Sequence, residues 1–181
     1  MKFQLPPLAH AFPAPLALLA CGTLEKPNIT TVSWFGVACN NPPYISISLK
    51  SKRHSFSLIR ASSEFSLNLP APEHLPAIRF CGSKSGKETD KFRELGWHPL
   101  PCPPLKEAPM IEECPISLAC VVRQFIPLGS HDLFIAEVLS LHCEPKFLKS
   151  DGKLNFHSTE RLVYLEKQFW RLERVEKSGV E

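Results

Sequence analysis

Ile29-Thr-Thr-Val-Ser-Trp-Phe-Gly-Val-Ala-Cys39, the turn Asn40-Asn-Pro-Pro43 and then Tyr44-Ile-Ser-Ile-Ser-Leu49 decide the fold class. The first segment is rich in β-branched and aromatic residues, with Thr31 and Ser33 alternating with Val32 and Trp34. Successive side chains of a strand point to opposite faces, so this spacing predicts one polar and one apolar face. Tyr44 to Leu49 repeats the period of two. Proline fixes φ and has no N–H to continue a ladder, which makes Asn40 to Pro43 a strong turn signal. Working backwards, Ala14 to Gly22 reads as another strand. It joins the first through Gly22-Thr-Leu-Glu-Lys-Pro-Asn28, whose glycine, proline and asparagine suit a hairpin connection. Three strands in succession predict a meander.

Working forwards, Ser55 to Ala61 has a helical pattern, Glu64 to Leu69 reads as a strand, and Glu73 to Phe80 reads as a helix behind Pro72. Cys81 to Ser85 reads as loop. Lys87 to Leu95 has helical spacing, with Phe92 and Leu95 as apolar contacts and Gly96 as a C-cap. The proline-rich run Pro99 to Pro109 predicts an extended wrap without regular structure. Ile116 to Ile126 and Asp132 to Cys143 read as two long strands around the loop Pro127-Leu-Gly-Ser-His131. A short strand, Leu162 to Leu165, precedes Phe169, Trp170 and a charged end expected to fray. The expectation is one mainly β domain over residues 1–181, with its core from about residue 12 to 170: a small antiparallel barrel with a few inserted helices.

Composition narrows the function classes. The chain is 44% apolar and 22% charged, as globular proteins are, and no stretch is apolar for long enough to span a bilayer, so no membrane role is expected. The first residues imitate a signal peptide, with Lys2 ahead of the apolar run Leu16 to Cys21. Pro6, Pro7, Pro13 and Pro15 break the helix such a peptide needs, so a cytoplasmic protein is expected. The net charge is +3 with the basic residues scattered, which implies no nucleic acid partner. Seven cysteines, an odd and widely spread set without a C-x-x-C pair, read as free thiols in a reducing compartment with no metal site.

Three places hold candidate chemistry. Thr31, Ser33 and Trp34, with Ser46 and Ser48 and the cluster Lys50-Ser-Lys-Arg-His-Ser55, suit a ligand that joins a polar ring to a phosphate. Hydroxyls satisfy ring carbonyls and nitrogens; cations and a helix N-terminus, where Arg53 and His54 fall, satisfy the phosphate. Next, Cys81-Gly-Ser-Lys-Ser-Gly-Lys87 has the look of a phosphate loop. Its glycines stand one residue too close and Glu88 follows Lys87, which excludes the nucleoside triphosphate string, although its backbone can still cradle a phosphate. Last, His131 stands on a hairpin loop. Composition alone favours the plainer account for all three: solvated hydroxyls, a solvated loop and a turn histidine. No Ser-His-Asp order, paired carboxylates or His-rich pattern supports a hydrolase or a metal enzyme.

The order of the strings changes that balance. Pro27-Asn-Ile-Thr-Thr31, Ser33-Trp34, Asn41-Pro42-Pro43, Ser46 to Ser48, Arg53-His-Ser55 and Glu64-Phe-Ser-Leu-Asn-Leu-Pro70 together resemble the flavin reductase-like proteins, flavoredoxins in particular. Cys81-Gly82, Ser85-Gly86, Asp90-Lys-Phe92, Leu95-Gly96, Ala108-Pro109 and Gly129-Ser-His131 with Phe134 to Val138 look like that family's later landmarks. The resemblance runs from about residue 12 to 170 and implies an FMN-binding Greek-key split barrel that forms a homodimer, with FMN near the interface. Carried over residue by residue, it places Thr30, Thr31, Val32, Ser33 and Trp34 along the flavin and Ser48, Leu49 and Lys50 beside it. It places Arg53, His54 and Ser55 at the phosphate, with Ser83, Ser85 and Lys87 completing the pocket.

The resemblance implies electron transfer: an NAD(P)H-dependent flavin or ferric reductase, or a flavoredoxin-type carrier fed by a redox protein. Relatives that use a nicotinamide carry Gly-Asp-His near it; here Gly129-Ser130-His131 replaces the acid by serine, and His131 is the candidate nicotinamide contact. No catalytic side chain is required, since the flavin carries the chemistry, and Thr31 or a nearby backbone N–H is the candidate donor to the ring edge. The other reading is a non-catalytic module that binds or senses flavin or another cofactor on the same barrel.

Overall fold

The computed structural model describes residues 1–9, 11–155 and 160–173. Among these residues twelve strands and three α-helices follow one another as β1 (Ala14–Pro15), β2 (Ala17–Gly22), β3 (Pro27–Val32), β4 (Phe35–Asn40), β5 (Pro43–Leu49), α1 (His54–Ser62), β6 (Glu64–Leu69), α2 (Leu75–Ser83), α3 (Lys91–Leu95), β7 (Pro99–Pro101), β8 (Pro109–Ile111), β9 (Ile116–Pro127), β10 (Asp132–Cys143), β11 (Leu162–Leu165) and β12 (Gln168–Arg171). The protein is mainly β with few helices, as its alternating segments predict. Among the described residues no helix is long and apolar enough to cross a membrane.

Seven strands form one antiparallel sheet in the order β3-β2-β6-β9-β10-β5-β4. β3 and β4 occupy its opposite edges, yet only Ser33 and Trp34 separate them. Three residue steps reach about 10 Å, so the edges must meet and the sheet must curl into a barrel. At that seam the Ser48 N–H donates to the Trp34 carbonyl at 2.8 Å. This corrects two expectations. Residues 29–39 form two strands, and no three-stranded meander exists, because the β2–β3 and β4–β5 hairpins lie at opposite ends of the sheet.

Ala17, Leu19 and Cys21 of β2 face the barrel interior with Ile47, Phe65 and Phe134, while α1 contributes Ile59 to the same cluster. Leu18 and Ala20 point the other way, into a second cluster with Ile78, Cys81 and Phe92 from α2 and α3. Both faces of β2 are therefore buried, which is why it reads as a continuous apolar run. Asn68 joins these layers. Its fully buried amide donates to the Leu18 carbonyl and the Ser66 hydroxyl, both at 2.9 Å, and accepts from the Ile111 N–H at 3.1 Å and the Ser117 hydroxyl at 2.7 Å.

Other segments depart from their local signals. Cys81 to Ser83 belongs to α2, because Ala77, Ile78 and Cys81 continue one buried helical stripe. α3 begins only at Lys91: the Asp90 carboxylate caps it by accepting from the Arg93 N–H at 3.1 Å, and the left-handed Gly96 ends it. The proline-rich run holds a short ladder between β7 and β8, with the Leu100–Met110 pair at its centre. Prolines are tolerated there because this two-stranded ladder leaves one side of each strand unpaired. The Glu64 carboxylate also pins the run, accepting N–H groups from Lys106, Glu107 and Ala108. Phe169 and Trp170 lie in β12, which joins β1 and β11 in a separate three-stranded sheet. Residues 174–181, the charged end expected to fray, lie outside the described residues.

Candidate functional site

β5 ends at Leu49, and a tight turn closed by the Arg53 N–H on the Lys50 carbonyl at 3.0 Å leads into α1. Arg53 is the N-cap in extended conformation; no side chain caps this helix and its first turn holds no acid. The first N–H groups of a helix lack intrahelical partners and carry a partial positive charge, so this end is suited to an external anion. The Asn28 amide of β3 donates to the Ser55 hydroxyl at 2.9 Å and fixes the helix start against the barrel. Across from it runs the α2–α3 loop. A Cβ on Gly86 would overlap Asn28 Oδ1, so only glycine lets this loop close down here.

These segments enclose a cavity of about 350 Å³. Lys50, Lys52, Arg53, Lys84 and Lys91 line it, and no carboxylate does so among the described residues. None of the five makes an ion pair with a described carboxylate. Lys91 is 3% exposed, and its ammonium donates to the carbonyls of Ile29 at 2.7 Å and Cys81 at 2.9 Å, tying β3 to α2. Burial pushes the Lys91 pKa down from its ordinary value. His54 Nδ1 is buried with no hydrogen-bond partner. Burial, and then the charges of Lys87 and Lys91, hold the His54 imidazole below its ordinary pKa.

A second cavity, of about 330 Å³, shares Thr30, Lys50 and Arg53 with the first and continues along Thr31 to Trp34 and past Ser48 and Leu49. It is also lined by His131, whose ring packs on Trp34 with centroids 4.2 Å apart, and by Tyr164 of β11. Burial, then Lys50, lowers the His131 pKa, opposed by Asp132. The two cavities form one cleft, cationic at one end and lined with hydroxyls, main-chain groups and flat rings at the other.

The structure brings Thr30 through Trp34, Ser48, Leu49, Lys50, Arg53, His54, Ser55, Ser83, Ser85 and His131 to this cleft. Lys87 is exposed and lines neither cavity, because residues 85–89 form a turn that carries it outward. Thr31 is not free to donate: its hydroxyl gives its hydrogen to the Ile78 carbonyl at 2.6 Å, which leaves it an acceptor toward a ligand. Sequence reasoning gave no site role to Asn28, Lys91 or Tyr164, whereas Lys84 and Gly86 stood in the loop it singled out as a phosphate cradle. Asn28, Gly86 and Lys91 stood inside the strings that carried the resemblance; Tyr164 had no local signal.

The chain matches the flavin reductase like domain over residues 9–172. It belongs to that family. This flavin reductase-like protein is 30% identical over 146 residues to an uncharacterized protein of Archaeoglobus fulgidus, covering 81% of this chain and 80% of that one. Its fold matches the flavoredoxin of Desulfovibrio vulgaris (Miyazaki F) with a TM-score of 0.89 at 24% identity, over 99% and 98% of the two chains. It also matches the FMN-binding protein of Thermus thermophilus with a TM-score of 0.78 at 21% identity, over 94% and 93%. Membership brings flavin binding and flavin-linked redox chemistry. The cleft fits such a group, since cations without carboxylate partners gather at the uncapped start of α1 and the hydroxyl-lined slot leads away from them.

The lowered His54 pKa has a measurable sign. Below its ordinary value of 6.5 the unfolded chain binds this proton more readily than the folded one, so His54 lowers stability as the pH falls through that value and has no effect well above it. In flavin-free protein without phosphate, the melting temperature is expected to fall less for His54→Gln than for the wild type between about pH 7.5 and about pH 5.5. Equal falls would show that His54 is not depressed.

Proposed function

We propose that this protein is a homodimeric, cytoplasmic FMN-binding flavoprotein that takes electrons from NAD(P)H or a redox protein and passes them on. One observation carries the choice of FMN: a cationic, carboxylate-free cavity at the uncapped start of α1 that opens into the ring slot. A phosphate ester answers those needs, and riboflavin has none. When bound, the flavin supplies hydride and single-electron transfer, so the chain need not supply a general acid or base.

The chain's own task is placement. Arg53 and Lys52 hold the phosphate, and the Arg53 guanidinium is itself oriented by donating to the Gly82 carbonyl at 3.1 Å. Thr30 to Ser33 and Ser48 line the ring slot, together with the packed rings of Trp34 and His131. His131, which lines the slot and packs on Trp34, is the nicotinamide contact in this reading. Exposed Val37 on edge strand β4 and exposed Trp34 beside it support a dimer contact next to the site.

The test is the visible absorption spectrum of the purified protein, with chromatography of any released chromophore against FMN, FAD and riboflavin. FMN is expected, together with bleaching by NADH or NADPH without oxygen and a dimer mass by light scattering. A colourless protein that also ignores added FMN would overturn the cofactor assignment. Failure of both nicotinamides to bleach the flavin removes direct nicotinamide oxidation and leaves the redox-protein donor. A monomer at micromolar concentration removes the dimer.

A further inference from the structure

A third cavity, of about 340 Å³, opens beside the flavin cleft and shares Thr31, Ser33 and Tyr164 with it. Its floor is apolar, built from Leu16, Ile78 and the ring of Phe169. Its rim carries two cations, Arg79 from α2 and Lys167 from the β11–β12 turn. The Arg79 guanidinium lies 4.6 Å from the centre of the Phe169 ring, which orients its planar fork without neutralising it. No carboxylate lines this cavity among the described residues, and neither cation pairs with a described carboxylate.

Lys167 is held by an unusual backbone. The two-residue turn between β11 and β12 places Glu166 at φ +50° and Lys167 at φ +63°. Such turns favour Asn-Gly, because side chains with a Cβ resist the left-handed region. The turn thus places a lysine where a less strained loop would carry a small residue.

We propose that this cavity is the substrate subsite of the flavin site and takes a small organic anion, a flat apolar body on Ile78 and Phe169 with its carboxylate or phosphate between Arg79 and Lys167. The proposal rests on the flavin reading for what the bound molecule meets, since the walls shared at Thr31 and Ser33 open toward the ring slot. A neutral molecule would find the same apolar floor but leave the two cations without a partner. The forked guanidinium matches the two oxygens of a carboxylate or phosphate.

Titration calorimetry of the protein, with and without FMN, against benzoate, phenyl phosphate and neutral benzamide tests this. At least one of the two anions is expected to bind about tenfold or more tighter than benzamide. The stronger anion tells whether a carboxylate or a phosphate ester is the natural head group. The double variant Arg79→Gln, Lys167→Gln is expected to bring that preference below about twofold and leave FMN affinity unchanged, both side chains being exposed and outside the flavin cleft. Equal binding of all three probes, or an anion preference that survives in the double variant, would overturn the subsite. Loss of FMN binding alone, with the Arg79-dependent preference intact, would sink the flavin reading and keep the anion cavity.

Discussion

In an Arg53→Ala variant, FMN binding is expected to weaken by roughly ten- to a hundredfold, while riboflavin binding changes by no more than a few-fold. The magnitude follows from a hydrogen bond to a charged group, worth about 1.5–3 kcal/mol. Arg53 occupies the N-cap of α1 inside the cationic cavity and makes no ion pair with a described carboxylate, so its charge is free for a phosphate. It also donates to the Gly82 carbonyl, and losing that tie would loosen both ligands alike. Comparing the two flavins separates these effects, because only FMN carries the phosphate. Fluorescence titration gives both constants. Equal loss of FMN and riboflavin would refute the phosphate assignment and leave Arg53 a structural tie between α1 and α2. Arg53→Lys, which keeps the charge but not the fork, is expected to fall between the wild type and the alanine variant.

Asn68→Ala is expected to lower stability by about 3 kcal/mol, or roughly 10 °C in melting temperature for a chain of this size. The side chain is fully buried and spends both its donors and its acceptor on groups in β2, β6, β8 and β9. Truncation would leave the Ile111 N–H and the hydroxyl of Ser117 without this acceptor and the Leu18 carbonyl without this donor, all in the interior. Unsatisfied buried polar groups cost more than a lost exposed hydrogen bond, and the cavity adds to the loss. Urea unfolding measures the change. A loss under about 1 kcal/mol would show that water or a backbone shift replaces the amide. Asn68 lines none of the cleft, so the folded fraction should bind FMN as the wild type does.

The elements most visible in the sequence were those whose burial follows a local period. β5 alternates cleanly because one face meets the interior through Ile45, Ile47 and Leu49 and the other does not. β9 and β10 were visible as two long apolar-rich runs around a loop that carries a glycine. Segments whose conformation depends on distant partners were not. Cys81 to Ser83 became helix because Cys81 packs against β2, and the proline-rich run gained a ladder because β7 and β8 pair across it, with Glu64 pinning the connecting residues.

The site divides in the same way. The hydroxyls and cations of residues 30–34 and 48–55 stood in two short strings, and their order along the chain carried the family. The cleft itself is made where those strings meet the α2–α3 loop, His131 and Tyr164. Lys91 is an example of what stayed hidden: its residue type signals solvent, and only the packing of α3 against β3 buries it on two carbonyls. By itself the sequence determined the strand class, the single-chain order of motifs and the membership that brings flavin binding, because alternation and motif strings are properties of neighbouring residues. Only the tertiary structure decided that residues 29–39 break at Ser33-Trp34 and become two edges of one barrel. Which strands share hydrogen bonds across a closed sheet depends on long-range packing, and no local spacing encodes it.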